Sequence, residues 1–305
     1  MSLYITLAQV KPVIANPEKN INKIKECIEK VYESSDLILF PELFLIGYYS
    51  KDLIYRLAEY VNGDRIKRIL GLAREYNISI ITGFAERDSK YEIIYNSALL
   101  AKPDGSIHVY RKMHLPDFSV FDEARYFRRW DGDIELWNIN GFDIGTMICY
   151  DIFFPEISRA YTYRGAKILI GISATPDFSM PLFHKLIEAR AIENTVYFIW
   201  VNSVGTFDGL GFAGGSRVIA PLGSVLYDGP VMKEDLKTVK LDLHEIRVAR
   251  EKRPVLKDIS LADIELIKKS FWSKNKKLEY IPLHQHRITD KYYFIFPRSR
   301  IYYHM

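Results

Sequence analysis

The sequence predicts an α/β fold, mixed sheets with helices on the outside, and three observations carry that prediction. Short apolar runs rich in Ile, Val and Leu alternate with amphipathic stretches along most of the chain. Several of these runs are apolar without a break, as in "DLILF" (36 to 40) and "KILIGISA" (167 to 174), the mark of strands covered on both faces. Glu42, Lys112 and Cys149 fall at the ends of such runs or just beyond them, where α/β folds gather their ligands.

"LYITLAQV" (3 to 10) reads as the first strand. Asn16 then offers an N-cap oxygen, Pro17 pre-sets φ at the first helical position, and Ile21, Ile24, Ile28 and Val31 recur along one helical face. Cys27 lies beside that stripe and reads as a packed helix residue, the usual place of a free cysteine. After "DLILF" a helical segment is expected from about 54 to 76, followed by the strand "ISIITGFAE" (78 to 86). In "IYNSALLAKPDGSIHVYRKMHL" two strand-like runs flank Pro103-Asp104-Gly105-Ser106, a hairpin turn by its chemistry. "FDIGTMIC" (142 to 149) is a strand that ends on the cysteine, and Pro155 opens a helix to about Arg164. "KILIGISA", a helix near 181 to 194, the strand "YFIWVNSV", and the pair "SRVIA" and "SVLYDG" around Pro221-Leu222-Gly223-Ser224 complete the body.

At 305 residues, 48% of them hydrophobic, the chain can bury a large core. No linker interrupts it before about residue 250, so residues 1–250 are expected to form one domain. Residues 251–305 differ: twelve Lys or Arg stand against six Asp or Glu, giving +6 of a total of +4 and leaving −2 on the rest. That segment is basic, aromatic and short of helical period, and reads as an extended arm. A strand such as "YYFIF" within it is expected to pair with or lie across a second subunit, making at least a homodimer. The first ten residues lack a basic n-region and a cleavage site, and no apolar stretch reaches the ~18 residues of a membrane span. With only two cysteines, Cys27 and Cys149, a disulfide framework is not expected; a soluble, cytoplasmic protein is. The small net charge implies no general attraction to nucleic acid or membrane.

A carboxylate, an ammonium and a thiol converging at strand ends have a chemical logic. A free thiol at neutral pH is only a few per cent thiolate, so it needs a base. Glu42 can take the proton, and Lys112 can lower the cost of negative charge on sulfur and on the oxygen of an attacked carbonyl. Taken singly, each residue is ordinarily structural or solvated; the words around them change the balance. "FPELFLIGY", "YRKMHLPDFSVFDEARYF" and "CYDIFFPE", in this order, resemble the three signature segments of the nitrilase superfamily, the carbon-nitrogen hydrolases. "EARAIENTVYFIWVNSVG" and "FAGGSRVIAPLGSVL" extend the likeness over about residues 3–245.

The resemblance implies a four-layer α-β-β-α sandwich with a Glu42-Lys112-Cys149 site and neither metal nor organic cofactor. It also implies a second glutamate, matched best by Glu123 in "VFDEARYF", and an oxyanion site shared by Lys112 and the amide of Tyr150. The reaction implied is hydrolysis of a small carboxamide through a cysteine thioester. Nitrile-cleaving members usually follow the cysteine with Trp-Glu, whereas "CYDIFFPE" looks like the amidase and carbamoylase branches. "GYYSKDL" and "LPDFSVFDEARYF" also resemble the glutamine-hydrolysing domain of NAD synthetases; no Ser-Gly-Gly-x-Asp-Ser loop is present, so that reading is of a stand-alone glutaminase.

Other residues are set aside. Asp151 is expected to hold the turn by hydrogen bonds and Glu156 to suit a helix N-terminus. His114 invites a Cys-His pair, but Glu42 stands in the matched segment. "HQH" (284 to 286) lacks a third metal ligand, and "GGSRV" has no phosphate-loop spacing. Tyr48 and Phe118 are expected to line the pocket or simply to pack. The rival functions are an N-acyltransferase, which forms product only with an acceptor amine, and a silent interaction protein, against which the intact Glu42, Lys112 and Cys149 speak.

Overall fold

A computed structural model describes residues 2–274. They fall into two compact units, one ending at Ile259 and one starting at Ser260. The first unit opens with β1 (Ser2–Gln9), α1 (Pro17–Glu29), β2 (Leu37–Leu39), α2 (Ile54–Leu57), α3 (Asp64–Glu75), β3 (Ser79–Arg87), β4 (Ile94–Ala101) and β5 (Ile107–Arg111). It continues through β6 (Trp137–Ile139), β7 (Phe142–Ile148), α4 (Pro155–Tyr163), β8 (Ile168–Ser173), α5 (Met180–Asn194) and β9 (Tyr197–Asn202). The hairpin β10 (Val204–Phe207) and β11 (Leu210–Ala213) follows, then β12 (Arg217–Ile219), β13 (Val225–Asp228), β14 (Asp235–Asp242), α6 (Leu243–Lys252) and α7 (Val255–Asp258).

Two six-stranded sheets result, in the orders β14-β1-β2-β3-β4-β5 and β13-β12-β9-β8-β7-β6. At the centre of each, strands run parallel: β1, β2 and β3 in one, β7, β8 and β9 in the other. The two-residue period of a strand divides the core between its faces. Leu37 and Leu39 point into the cluster shared with Met147, Val201 and Trp200 of the second sheet. Ile38 points the other way, under Ile24 of α1 and Ile69 of α3. Ile157 and Tyr161 of α4 and Phe183 and Ile187 of α5 cover the second sheet. The architecture is therefore helix, sheet, sheet, helix, as the family resemblance implies.

Asn16 caps α1 through its side-chain oxygen, 3.1 Å from the Lys19 amide, and Cys27 is buried in the core beneath that helix. The single helix expected over 54–76 is broken. Glu59 donates its amide to the Ala85 carbonyl and accepts from the Arg87 amide, so the chain there pairs with β3 instead of continuing as helix.

Two expectations for the C-terminal region need correction. The compact unit runs past 250 to Ile259, taking in the end of α6 (Leu243–Lys252) and the whole of α7 (Val255–Asp258). Beyond it, Leu261–Lys274 form a helix, α8, where an extended arm was expected. Asp263 marks the helix start: its carboxylate accepts from the Ser260 amide at 2.8 Å and from the Ser260 hydroxyl at 3.1 Å. The "HQH" and "YYFIF" segments lie outside the described residues. Among the described residues no helix is long and apolar enough to cross a membrane.

Candidate active site

Four chain segments deliver the charged cluster, each fixed by neighbouring backbone. After β2 the chain is pinned to β3 by the Phe40 amide on the Ile81 carbonyl (2.8 Å) and the Gly83 amide on the Pro41 carbonyl (3.1 Å), which sets Glu42. Lys112 follows β5 directly, and its amide donates to the Asn96 carbonyl of β4 at 2.8 Å. Glu123 opens a short 3-10 turn (Glu123–Arg125), its amide bonded to the Pro116 carbonyl at 3.2 Å. Cys149 comes directly after β7 with φ of +46°, a left-handed conformation costly for a residue with a Cβ. It is the turn from strand into the 3-10 helix Cys149–Phe153 that aims its side chain.

Asp151 holds that turn, as expected. Its Oδ2 accepts from the Ile148 amide (3.3 Å) and the Tyr110 hydroxyl (2.8 Å), and its Oδ1 from the His114 amide (2.8 Å). The His114 ring stacks on Phe154 at 3.4 Å and reaches Asp151, not Cys149. Glu156 is exposed in the first turn of α4.

The three acid and base groups meet. The Lys112 ammonium donates to Glu42 Oε1 and to Glu123 Oε1, both at 2.7 Å. Asn96 Nδ2 adds a second bond to Glu42 Oε1 (2.8 Å), while Glu42 Oε2 takes the Ala174 amide (2.9 Å). Glu123 Oε1 also accepts from the Tyr48 hydroxyl (2.7 Å), and its Oε2 is buried with no protein partner. Cys149 places its sulfur 3.7 Å from the Thr175 hydroxyl. All four groups are nearly sealed from solvent, with exposures of 1% for Glu42 and Lys112, 3% for Glu123 and 5% for Cys149.

Burial and charge set the protonation states. Burial alone would favour a neutral Lys112, but the Glu123 and Glu42 carboxylates outweigh it and hold its pKa above the ordinary lysine value. Burial pushes Glu123 up to about 7, against the pull of Lys112 and with the help of the Glu42 charge. Cys149 is raised first by burial and then by Glu42, with Lys112 opposing, which favours the thiol form.

The other expected pocket residues divide. Tyr48 joins the cluster through its hydroxyl, and with Tyr49, Lys51 and Glu123 it lines a cavity of about 240 Å³. Phe118 packs in an aromatic group, its ring 5.7 Å from Phe121, which also meets Tyr48, and 5.3 Å from Tyr150, itself against Phe153 and Phe154; the part expected of Tyr150 is that of its amide, which these ring contacts do not involve. Sequence reasoning missed Asn96, Thr175 and the Ala174 amide. Asn96 is a lone amide in the apolar run "IYNSALLA", and Thr175 sits just past a strand end; both signals were readable.

Residues 4–251 match the model of the carbon-nitrogen hydrolase family. A nitrilase of Pyrococcus abyssi is 30% identical over 250 residues, 81% of this chain and 92% of that protein. A glutamine-dependent NAD(+) synthetase of Aquifex aeolicus is 31% identical over 92% of this chain, which spans 52% of that protein's length. Among solved structures, a glutamate-to-glutamine mutant of the amidase from Nesterenkonia sp. AN1 superposes with a TM-score of 0.75 at 26% identity, covering 88% of this chain and 96% of its own. That structure shows the acetamide moiety of fluoroacetamide added covalently at the active-site cysteine.

Proposed function

Since this chain belongs to the carbon-nitrogen hydrolase family, we propose that it is an amidohydrolase that cleaves a small carboxamide to acid and ammonia through a thioester on Cys149. The observation that carries the reading is the left-handed cysteine at a strand end beside a sealed cluster of Glu42, Lys112 and Glu123. The sulfur adds to the amide carbonyl as its proton passes to Glu42. Of the two carboxylate oxygens, Oε1 already accepts from Lys112 and Asn96, which leaves Oε2, with one backbone donor, the freer to accept a proton.

The ammonium of Lys112 uses two of its three protons on the glutamates; the third, with the Tyr150 amide, serves the carbonyl oxygen as it becomes an oxyanion. Collapse expels ammonia with the proton returned by Glu42, and the same carboxylate then activates water to hydrolyse the thioester. Glu123 holds Lys112 and presents its unpaired Oε2 to the substrate. Similarity to the NAD(+) synthetase over about half of that protein favours glutamine as a second candidate substrate.

Ammonia release from a panel running from acetamide to glutamine tests the reading, with mass spectrometry of the Cys149 adduct. We expect the Cys149→Ala variant to lose the adduct and at least about 10³-fold in rate. Equal ammonia release by the two proteins would discard the mechanism.

A further inference from the structure

Thr175 lies just past the end of β8 and is wholly buried, its Oγ1 3.7 Å from the Cys149 sulfur. Its main chain is clamped on both sides by one amide side chain: the Thr175 amide donates to Asn202 Oδ1 (2.7 Å) and its carbonyl accepts from Asn202 Nδ2 (3.2 Å). Asn202 is itself fixed, its amide on the Ser216 hydroxyl (3.0 Å) and its Nδ2 on the Gly214 carbonyl (2.9 Å). The preceding residue, Ala174, donates its amide to Glu42 Oε2 at 2.9 Å. One short segment therefore contacts both the nucleophile and the base.

We propose that Thr175 is a positioning residue for the nucleophile: its hydroxyl orients the Cys149 thiol and donates a hydrogen bond to the sulfur as the S–H bond breaks. The inference rests on the amidohydrolase reading for the substrate, though not for the reactivity of the thiol. In the step itself the proton on sulfur passes to Glu42 Oε2, the sulfur electron pair forms the new bond to the electrophile, and Thr175 keeps its own proton, its hydroxyl donating to the sulfur as negative charge builds there. Burial and the Glu42 charge both work against a thiolate at this position, and the Thr175 hydrogen bond acts in the same direction as Lys112 in opposing them. A hydrogen bond to a charged acceptor is stronger than one to a neutral acceptor, so the contact favours the reacting state over the resting one.

The test uses labelling by methyl methanethiosulfonate, with peptide mass spectrometry separating Cys149 from the buried Cys27. Thr175→Val keeps the shape and removes the hydroxyl. It should slow Cys149 labelling roughly tenfold at each pH from about 7 to 9, equivalent to a shift of about one pH unit, while Thr175→Ser labels like the wild type. Thr175→Ala takes the place of the valine variant if that protein does not fold.

Unchanged labelling in the hydroxyl-free variant overturns the proposal. So does an equal slowing in the serine variant, which would assign the effect to packing. Ammonia release from the amide panel reports separately. Its absence beside a hydroxyl-dependent labelling rate removes the amidohydrolase reading and leaves this one, and the converse result removes this one alone.

Discussion

Placing a single methyl group on Gly83 should disable the site without touching any of its side chains. Gly83 lies in β3 where the loop bearing Glu42 crosses it, donating its amide to the Pro41 carbonyl and accepting from the Leu45 amide, both at 3.1 Å. A Cβ on this residue would stand 2.2 Å from the Leu43 nitrogen and 2.7 Å from the Glu42 Cα. Those distances fall about 1 Å short of ordinary van der Waals separation, and the obstacles are backbone atoms, which cannot turn aside.

Glu42 must therefore withdraw from Lys112, Asn96 and the Ala174 amide, and a misplacement of about 1 Å costs on the order of 100-fold in rate. Overpacking of this kind also costs about 1–3 kcal/mol, or several degrees of melting temperature. We expect Gly83→Ala to lower kcat/KM for ammonia release about 100-fold with a moderate fall in Tm. Gly71→Ala in α3, where a Cβ meets nothing within 4 Å, is the control and should hold activity and Tm. Wild-type activity in Gly83→Ala, with the fold intact by circular dichroism, would refute the claim that this backbone crossing positions the carboxylate.

Glu123 gives a pH dependence of defined sign. Its folded-state pKa is raised from the ordinary 4.5 to about 7, so between those values the folded protein binds more protons than the unfolded chain. Its contribution to stability is full below about 4.5 and is lost as pH rises through 7. Melting curves of wild type and Glu123→Gln across that window should diverge accordingly, and parallel curves would contradict the raised value. Asp151→Ala leaves the Ile148 and His114 amides and the Tyr110 hydroxyl without their acceptor. Scanning calorimetry should find a loss of about 3 kcal/mol or more, and an unchanged Tm would show that the turn does not depend on this carboxylate.

Sequence patterns were most informative where one force dominated locally. The continuous runs at β2, β7, β8 and β9 are buried on both faces, and nothing but a covered strand satisfies both their composition and their length. Glu42, Lys112 and Cys149 were readable as a candidate site because they stand at strand ends, while Glu123, in a loop, was picked out only by the resemblance of the words around it. β14 was missed because "DLKTVKLD" keeps most of its side chains partly exposed, so its identity comes from pairing with β1. β6 has only three residues. The break at Glu59 is a tertiary effect, since β3 offers hydrogen bonds that no local propensity reveals. In α8, the Ser260-Asp263 spacing was a local signal overshadowed by the basic, aromatic composition that follows.

The antiparallel register of β1 with β14, from Ser2 opposite Asp242 to Gln9 opposite Asp235, ties the first strand of the larger unit to a strand more than two hundred residues later. During synthesis the amino-terminal sheet consequently waits with one flank open, its main-chain donors and acceptors available to any passing extended segment. Closure comes late and over a long loop, which makes assembly slow relative to its stability. Self-association of the nascent chain at that flank is the hazard the topology creates, and β14, which carries Asp235, Lys237, Lys240 and Asp242 on its two faces, is suited to capping it.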